Sequence, residues 1–152
     1  MTHYASVVDL EAAVGSPAQF SDWVTVSQEQ INQFADATGD HQWIHVDVER
    51  AAAGPYGSTI AHGYLTLSLI SELLFGLIEF DGSPTVINYG LDKVRFLSVV
   101  RVNSRVRASA QIAAVTPIEH GARIHTTVTI EIDGEAKPAL VAETIALFLF
   151  NS

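Results

Sequence analysis

The chain has 152 residues, enough for one domain with a self-sufficient core, and it contains no cysteine. Disulfides, thiolate metal centres and a cysteine nucleophile are thereby excluded. Eight Lys and Arg against 17 Asp and Glu give a formal net charge of -9, which argues against non-specific nucleic-acid binding but leaves room for a small phosphorylated ligand.

The first ten residues, from Met1 to Leu10, show neither the basic segment nor the long apolar run of an export signal, so the expected location is the cytoplasm. Gly15-Ser16-Pro17 marks a turn, and Asp22 to Val26 reads as a short strand. Ser27 followed by Gln30 has the form of a capping box, and it introduces Ile31, Phe34 and Ala35 at helical spacing. Gly39 is expected to end that helix. Asp40 to Gly57 shows no sustained periodicity and reads as loop, with Gly54-Pro55-Tyr56-Gly57 irregular.

Ser58 or Thr59 is expected to open the next helix. Its body, Ala61 to Leu77, is apolar on most faces and therefore calls for cover on most faces. A membrane span needs roughly 20 predominantly apolar residues; His62 and Glu72 interrupt this run, which favours a buried helix. Asp81 to Pro84 closes the helical region. Val86 to Phe96 then begins an extended section. Arg105, Arg107, Ser109 and Gln111 alternate with Val106, Ala108, Ala110 and Ile112, and a second period of two runs from Arg123 to Ile132. Asp133-Gly134 suggests a tight reversal, and Leu140 to Phe150 forms a last, more apolar strand. The predicted fold is α+β: a curved antiparallel sheet wrapped around one long central helix, the hotdog arrangement. A single copy leaves a sheet edge open, so a homodimer is expected.

The candidate chemistry lies at Asp40 and His45. Five residues on a regular helix turn through about 500 degrees, so helical geometry does not pair them, whereas a loop could. A carboxylate and an imidazole acting on one water suit acid–base work near neutral pH. The plainer possibility is a turn-capping Asp40 beside a satisfied His45. His41, His45 and His62 with Asp40 could also supply metal ligands, but the spacing lacks the glutamate of a His-Glu-x-x-His pattern. Gly63, near the start of the central helix, either exposes an amide to an approaching carbonyl or relieves crowding between helix and sheet.

Phe34 to Asp40, His45-Val46-Asp47, Gly57 to Gly63, and Asn88-Tyr89-Gly90 through Val94-Arg95-Phe96 form an ordered set. The chain resembles the MaoC-like dehydratase family, which includes R-specific enoyl-CoA hydratases. The resemblance implies one MaoC-like hotdog domain over residues 1–152 and the conversion of trans-2-enoyl-CoA to (3R)-3-hydroxyacyl-CoA, or the reverse. It implies catalytic Asp40 and His45, with the Gly63 amide polarising the thioester carbonyl, and no metal or redox cofactor. Lys93, Arg95 and Arg101 are the candidate contacts for coenzyme A phosphates, or else solvated strand-end charges. The family pattern Gly-Asp-x-Asn-Pro-aliphatic-His is altered here, because Gln42-Trp43 stands in place of Asn-Pro. Trp43 lacks the fixed φ of proline and adds a large apolar surface, which puts the acyl route in question. A thioesterase and a non-catalytic acyl-CoA-binding protein are the competing readings, since a fold does not by itself select the chemistry.

Overall fold

The computed structural model describes residues 2–150. In chain order the elements are β1 (Thr2–Tyr4), α1 (Val7–Ala12), β2 (Gln19–Phe20), β3 (Val24–Thr25) and α2 (Gln28–Thr38). Then come α3 (Trp43–Val46), α4 (Val48–Ala52), α5 (Gly63–Phe75), β4 (Ile78–Phe80), β5 (Thr85–Phe96), β6 (Arg105–Ile118), β7 (Gly121–Ile132) and β8 (Leu140–Leu149). The main sheet runs β2-β6-β7-β8-β5, with β3 also paired to β6, and every pairing in it is antiparallel. The hotdog expectation is met, with α5 as the central helix.

Local signals explain the early elements. The Ser27 hydroxyl accepts the Gln30 amide at 3.1 Å, and Gly39 closes α2 in the left-handed region at φ 78°. In β7 the side chains of Ala122, Ile124, Thr126, Val128, Ile130 and Ile132 are buried, while intervening residues reach outward. Val106, Ala108, Ala110 and Ile112 do the same on β6, so the period of two sets which face of the sheet meets α5. The main core joins Leu65, Leu69, Ile70 and Leu73 of α5 to Val106, Val128, Ile130 and Leu140 of the sheet. Each fully buried aliphatic side chain contributes roughly 1.5–3 kcal/mol.

Four expectations need correction. Residues 40–57 are not all loop: α3 and α4 lie within them, four and five residues long. Elements that short complete barely one turn and leave no periodicity to read. The central helix opens at Gly63 rather than at Ser58 or Thr59. Ile60 bridges Arg101, the Ala61 amide donates to Val100, and the Val102 amide donates to Thr59, so residues 59–61 are extended against the sheet. That helix also ends at Phe75, which frees Ile78–Phe80 to pair in parallel with β1. Finally, Asp133-Gly134 starts a seven-residue connection, residues 133–139, between β7 and β8. The two-residue reversal lies instead at Glu119-His120, between the paired Ile118 and Gly121.

Cover over α5 is one-sided. Leu65, Thr66, Leu69, Ile70 and Leu73 are buried, yet Tyr64 is 69% exposed and Phe75 64%. Among the described residues, strand β5 pairs only with β8, and its side chains are exposed along almost its whole length.

Gly121 is the position where the sheet tolerates no side chain, because an added Cβ would lie 1.9 Å from the Phe148 carbonyl oxygen. Gly121→Ala forces β7 and β8 apart and is expected to cost about 2–4 kcal/mol, read as a lowered urea midpoint with an unchanged slope.

Candidate active site

After Gly39 turns the chain, Asp40 sits in a tight bend. Its Oδ1 accepts the Gln42 amide at 3.3 Å, and its own amide donates to the Thr38 hydroxyl at 3.4 Å. The bend delivers the chain into α3, whose buried residue is His45. Gln28 of α2 supports this turn from behind: its amide donates to the His45 carbonyl at 2.8 Å, and its Oε1 accepts the Thr59 hydroxyl.

The His45 ring is tied down as well. Its Nδ1 lies 2.7 Å from the Ile60 carbonyl oxygen. A carbonyl only accepts, so Nδ1 carries the proton and Nε2 is left with a free lone pair. His62 has the complementary arrangement. Its Nε2–H donates to the Asp40 carbonyl at 2.9 Å, and its Nδ1 is buried without a partner. The two imidazoles stack with centroids 3.8 Å apart, and Phe34 packs against His62 at 4.9 Å.

Asp40, His45 and His62 each direct one ligating atom to a region in which these atoms lie within 4.8 Å of one another. Asp40 is exposed, while His45 and His62 are 6% and 3% exposed. The loop therefore accomplishes what helical spacing could not, bringing a carboxylate to an imidazole. It also brings His62 beside them, so three of the four residues weighed as metal ligands converge. His41 is not among them, since that ring turns outward and its Nε2–H donates to Asp36 at 2.8 Å.

Gly63 is the first residue of α5, so its amide has no acceptor inside the helix. A Cβ there would meet the Phe96 ring at 3.1 Å. Two cavities of about 340 and 480 Å³ share His45, Gly63 and Phe96 as walls. The larger also reaches Asp40 and His62, and the smaller reaches Thr66 and Val100. Phe96 lines both cavities and was not singled out from the sequence as a candidate site residue. Phe96 stood inside the Val94-Arg95-Phe96 landmark, and His62 was weighed only as a metal ligand.

Trp43 lines neither cavity. Its ring lies under the Arg50 guanidinium at 4.3 Å and against Gly54. The Trp43 ring thus packs α3 against α4, away from both cavities.

The three candidate cations differ. Lys93 sits at a bulge with φ 52° and pairs with Glu143 at 3.3 Å. Arg101 donates to the Tyr56 carbonyl at 3.1 Å and lies 3.8 Å from Glu135. Arg95 donates only to the Val94 carbonyl, and among the described residues no carboxylate pairs with it.

A hotdog sheet with a carboxylate and an imidazole gathered at the head of its central helix marks a hotdog protein equipped for acid–base work on one water. A family model described as MaoC like domain matches residues 9–136, and the chain belongs to that family. It is 52% identical to 3-hydroxyacyl-thioester dehydratase Z of Mycobacterium tuberculosis, over 98% of this chain and 99% of that protein. Nodulation protein N of Rhizobium meliloti is 46% identical, over 98% of this chain and 94% of its own length. Among solved structures, the (R)-hydratase from A. caviae involved in PHA biosynthesis superposes with a TM-score of 0.69 at 24% identity, covering 86% of this chain and 95% of that one, a likeness of fold. Among the described residues, no helix is long and apolar enough to cross a membrane.

Burial holds the His45 pKa below its ordinary value of 6.5; the Ile60 hydrogen bond acts upward, the neighbouring His62 downward and Asp40 upward. The neutral form of the ring is accordingly favoured at pH 7. Below pH 6.5 the unfolded chain takes up a proton that the folded one resists, so acidification through that region removes stability. The urea midpoint should fall between pH 7.5 and pH 5.5, and fall less in His45→Gln.

Proposed function

We propose that this chain catalyses the R-specific hydration of trans-2-enoyl-CoA to (3R)-3-hydroxyacyl-CoA, or the reverse dehydration. It does so as one hotdog unit over residues 1–152, working as a homodimer in the cytoplasm. The observation that carries the reading is the convergence of the Asp40 and His45 polar atoms within 4.8 Å at the head of α5. A relative at 52% identity named as a 3-hydroxyacyl-thioester dehydratase supports hydration and dehydration of acyl thioesters.

The chemistry follows from the tautomer. With Nδ1 committed to Ile60, Nε2 of His45 accepts a proton from a water that Asp40 also holds. The water oxygen bonds to C3 of the enoyl thioester, and electron density moves from the C2–C3 double bond onto the thioester oxygen. The Gly63 amide stabilises that oxygen. The proton taken from water then returns to C2 through the Asp40–His45 pair, so one water has been added across the double bond. Both groups act from one side of the substrate, which fixes the configuration at C3. The enoyl thioester already activates C3, so the residues named supply the proton transfers without a metal or redox cofactor.

Arg95 is the best-placed of the three cations for a coenzyme A phosphate, since Lys93 and Arg101 already have carboxylate neighbours. The dimer reading rests on the one-sided pairing of β5 and on the uncovered face of α5. Val86, Ile87, Tyr89 and Leu91 are exposed along that strand, and a long apolar edge is disfavoured in an isolated protomer.

Incubation with crotonyl-CoA and longer enoyl-CoAs should yield the (3R)-alcohol with the thioester intact. Asp40→Asn and His45→Gln should each lower kcat about 10²–10⁴-fold while the fold is kept. Release of free thiol, or normal turnover by both variants, contradicts the assignment. Arg95→Ala should raise KM about 3- to 10-fold with kcat unchanged, whereas Lys93→Ala should change KM by less than about twofold.

A further inference from the structure

His62 touches every part of the proposed machinery without occupying a role in it. Its Nε2–H holds the backbone carbonyl of Asp40, its ring lies on the His45 ring, and the next peptide unit carries the Gly63 amide. Phe34 covers the ring from another side. We infer that His62 is a positioning residue that fixes the spacing between the proton-transfer pair and the Gly63 amide. The inference rests on the hydration reading above and deepens it.

Packing alone does not account for an imidazole here. His62 is only 3% exposed, and among the described residues its Nδ1 has no hydrogen-bond partner. A buried acceptor without a donor costs free energy that a phenyl ring of similar size would not incur. What imidazole supplies and phenyl does not is the Nε2–H donor. That donor reaches a main-chain oxygen, so it acts on the placement of the Asp40 bend and not on the carboxylate itself. The same ring limits how far His45 can tilt. His62 also sits where α5 begins yet makes no capping bond with its side chain, so that side chain is committed to the Asp40 loop. One side chain therefore sets the distance from the water-activating atoms to the oxyanion donor. Displacements of about 1 Å in such spacing cost on the order of 10²-fold in rate.

The test compares wild type, His62→Phe and His62→Gln for hydration of crotonyl-CoA and trans-2-decenoyl-CoA. Phe keeps the packed ring and loses the donor. Gln places an amide N–H near the position of Nε2 and loses the ring. The expected result is a fall in kcat of about 10- to 100-fold in His62→Phe with KM within about twofold, and recovery in His62→Gln to within about threefold of wild type. Wild-type kcat in His62→Phe, or equal losses in both variants, overturns the inference. A second measurement needs no variant. Long-range ¹⁵N–¹H spectra of the wild-type imidazoles should show His62 protonated at Nε2 and bare at Nδ1; the opposite tautomer overturns the inference. Failure of the wild type to hydrate either substrate would count against the hydration reading, and the tautomer would still report on His62.

Discussion

The bond from Nδ1–H of His45 to the Ile60 carbonyl holds the site together. It joins α3 to the extended residues that precede α5, and the Ile60 amide returns the connection by donating to the Ile44 carbonyl at 3.0 Å. The pair works like a two-rung ladder between segments fifteen residues apart in sequence. One consequence is structural: the overhanging loop cannot lift without breaking a buried hydrogen bond, and leaving its partners unsatisfied costs about 1–3 kcal/mol. The other is chemical. The donor end of the ring is consumed by backbone, so the acceptor end is the only one left to face the cavity.

That arrangement shows how a buried His45 keeps one ring nitrogen free. A buried imidazole resists protonation, and here the resistance keeps the lone pair available at neutral pH. Asp40 is placed differently, on an exposed bend where water can solvate the carboxylate. Under the proposed mechanism, the exposed carboxylate and the buried imidazole take different parts. The exposed partner can orient a water arriving from solvent, while the buried one keeps its basicity from being lost to a bound proton.

Much of this was legible in the sequence, for identifiable reasons. Ser27, Gln30 and Gly39 act within a few residues of one another, so the limits of α2 could be read directly. The alternation in β6 and β7 was legible because one face of each is buried. The start of α5 was not, because Ile60 and Ala61 are as apolar as the helix behind them and only their pairing with residues 100–102 reveals them as extended. Helices α3 and α4 were too short to show a period. The direction of Trp43 depended on Arg50 and Gly54, which become its neighbours only after α4 folds back. The stacking of His45 on His62 was hidden for the same kind of reason, since seventeen positions separate them along the chain and no local rule connects them. The resemblance to a known family pointed to Asp40 and His45 but carried no information about the contacts that hold them in place.

Gly63 shows how a packing role and a chemical role can be one role. Its missing side chain lets the Phe96 ring approach to where a Cβ would stand, at 3.1 Å. The same approach makes Phe96 a shared wall of both cavities and sets an apolar surface beside the first amides of α5. An amide donor exerts more pull on a developing negative charge where water is scarce, since the effective dielectric there is low. Under the proposed mechanism, relief of crowding and stabilisation of an oxyanion are compatible explanations for the glycine. Under that mechanism, the aromatic ring that the glycine admits lowers the polarity around the donor that the glycine exposes, so each role would strengthen the other.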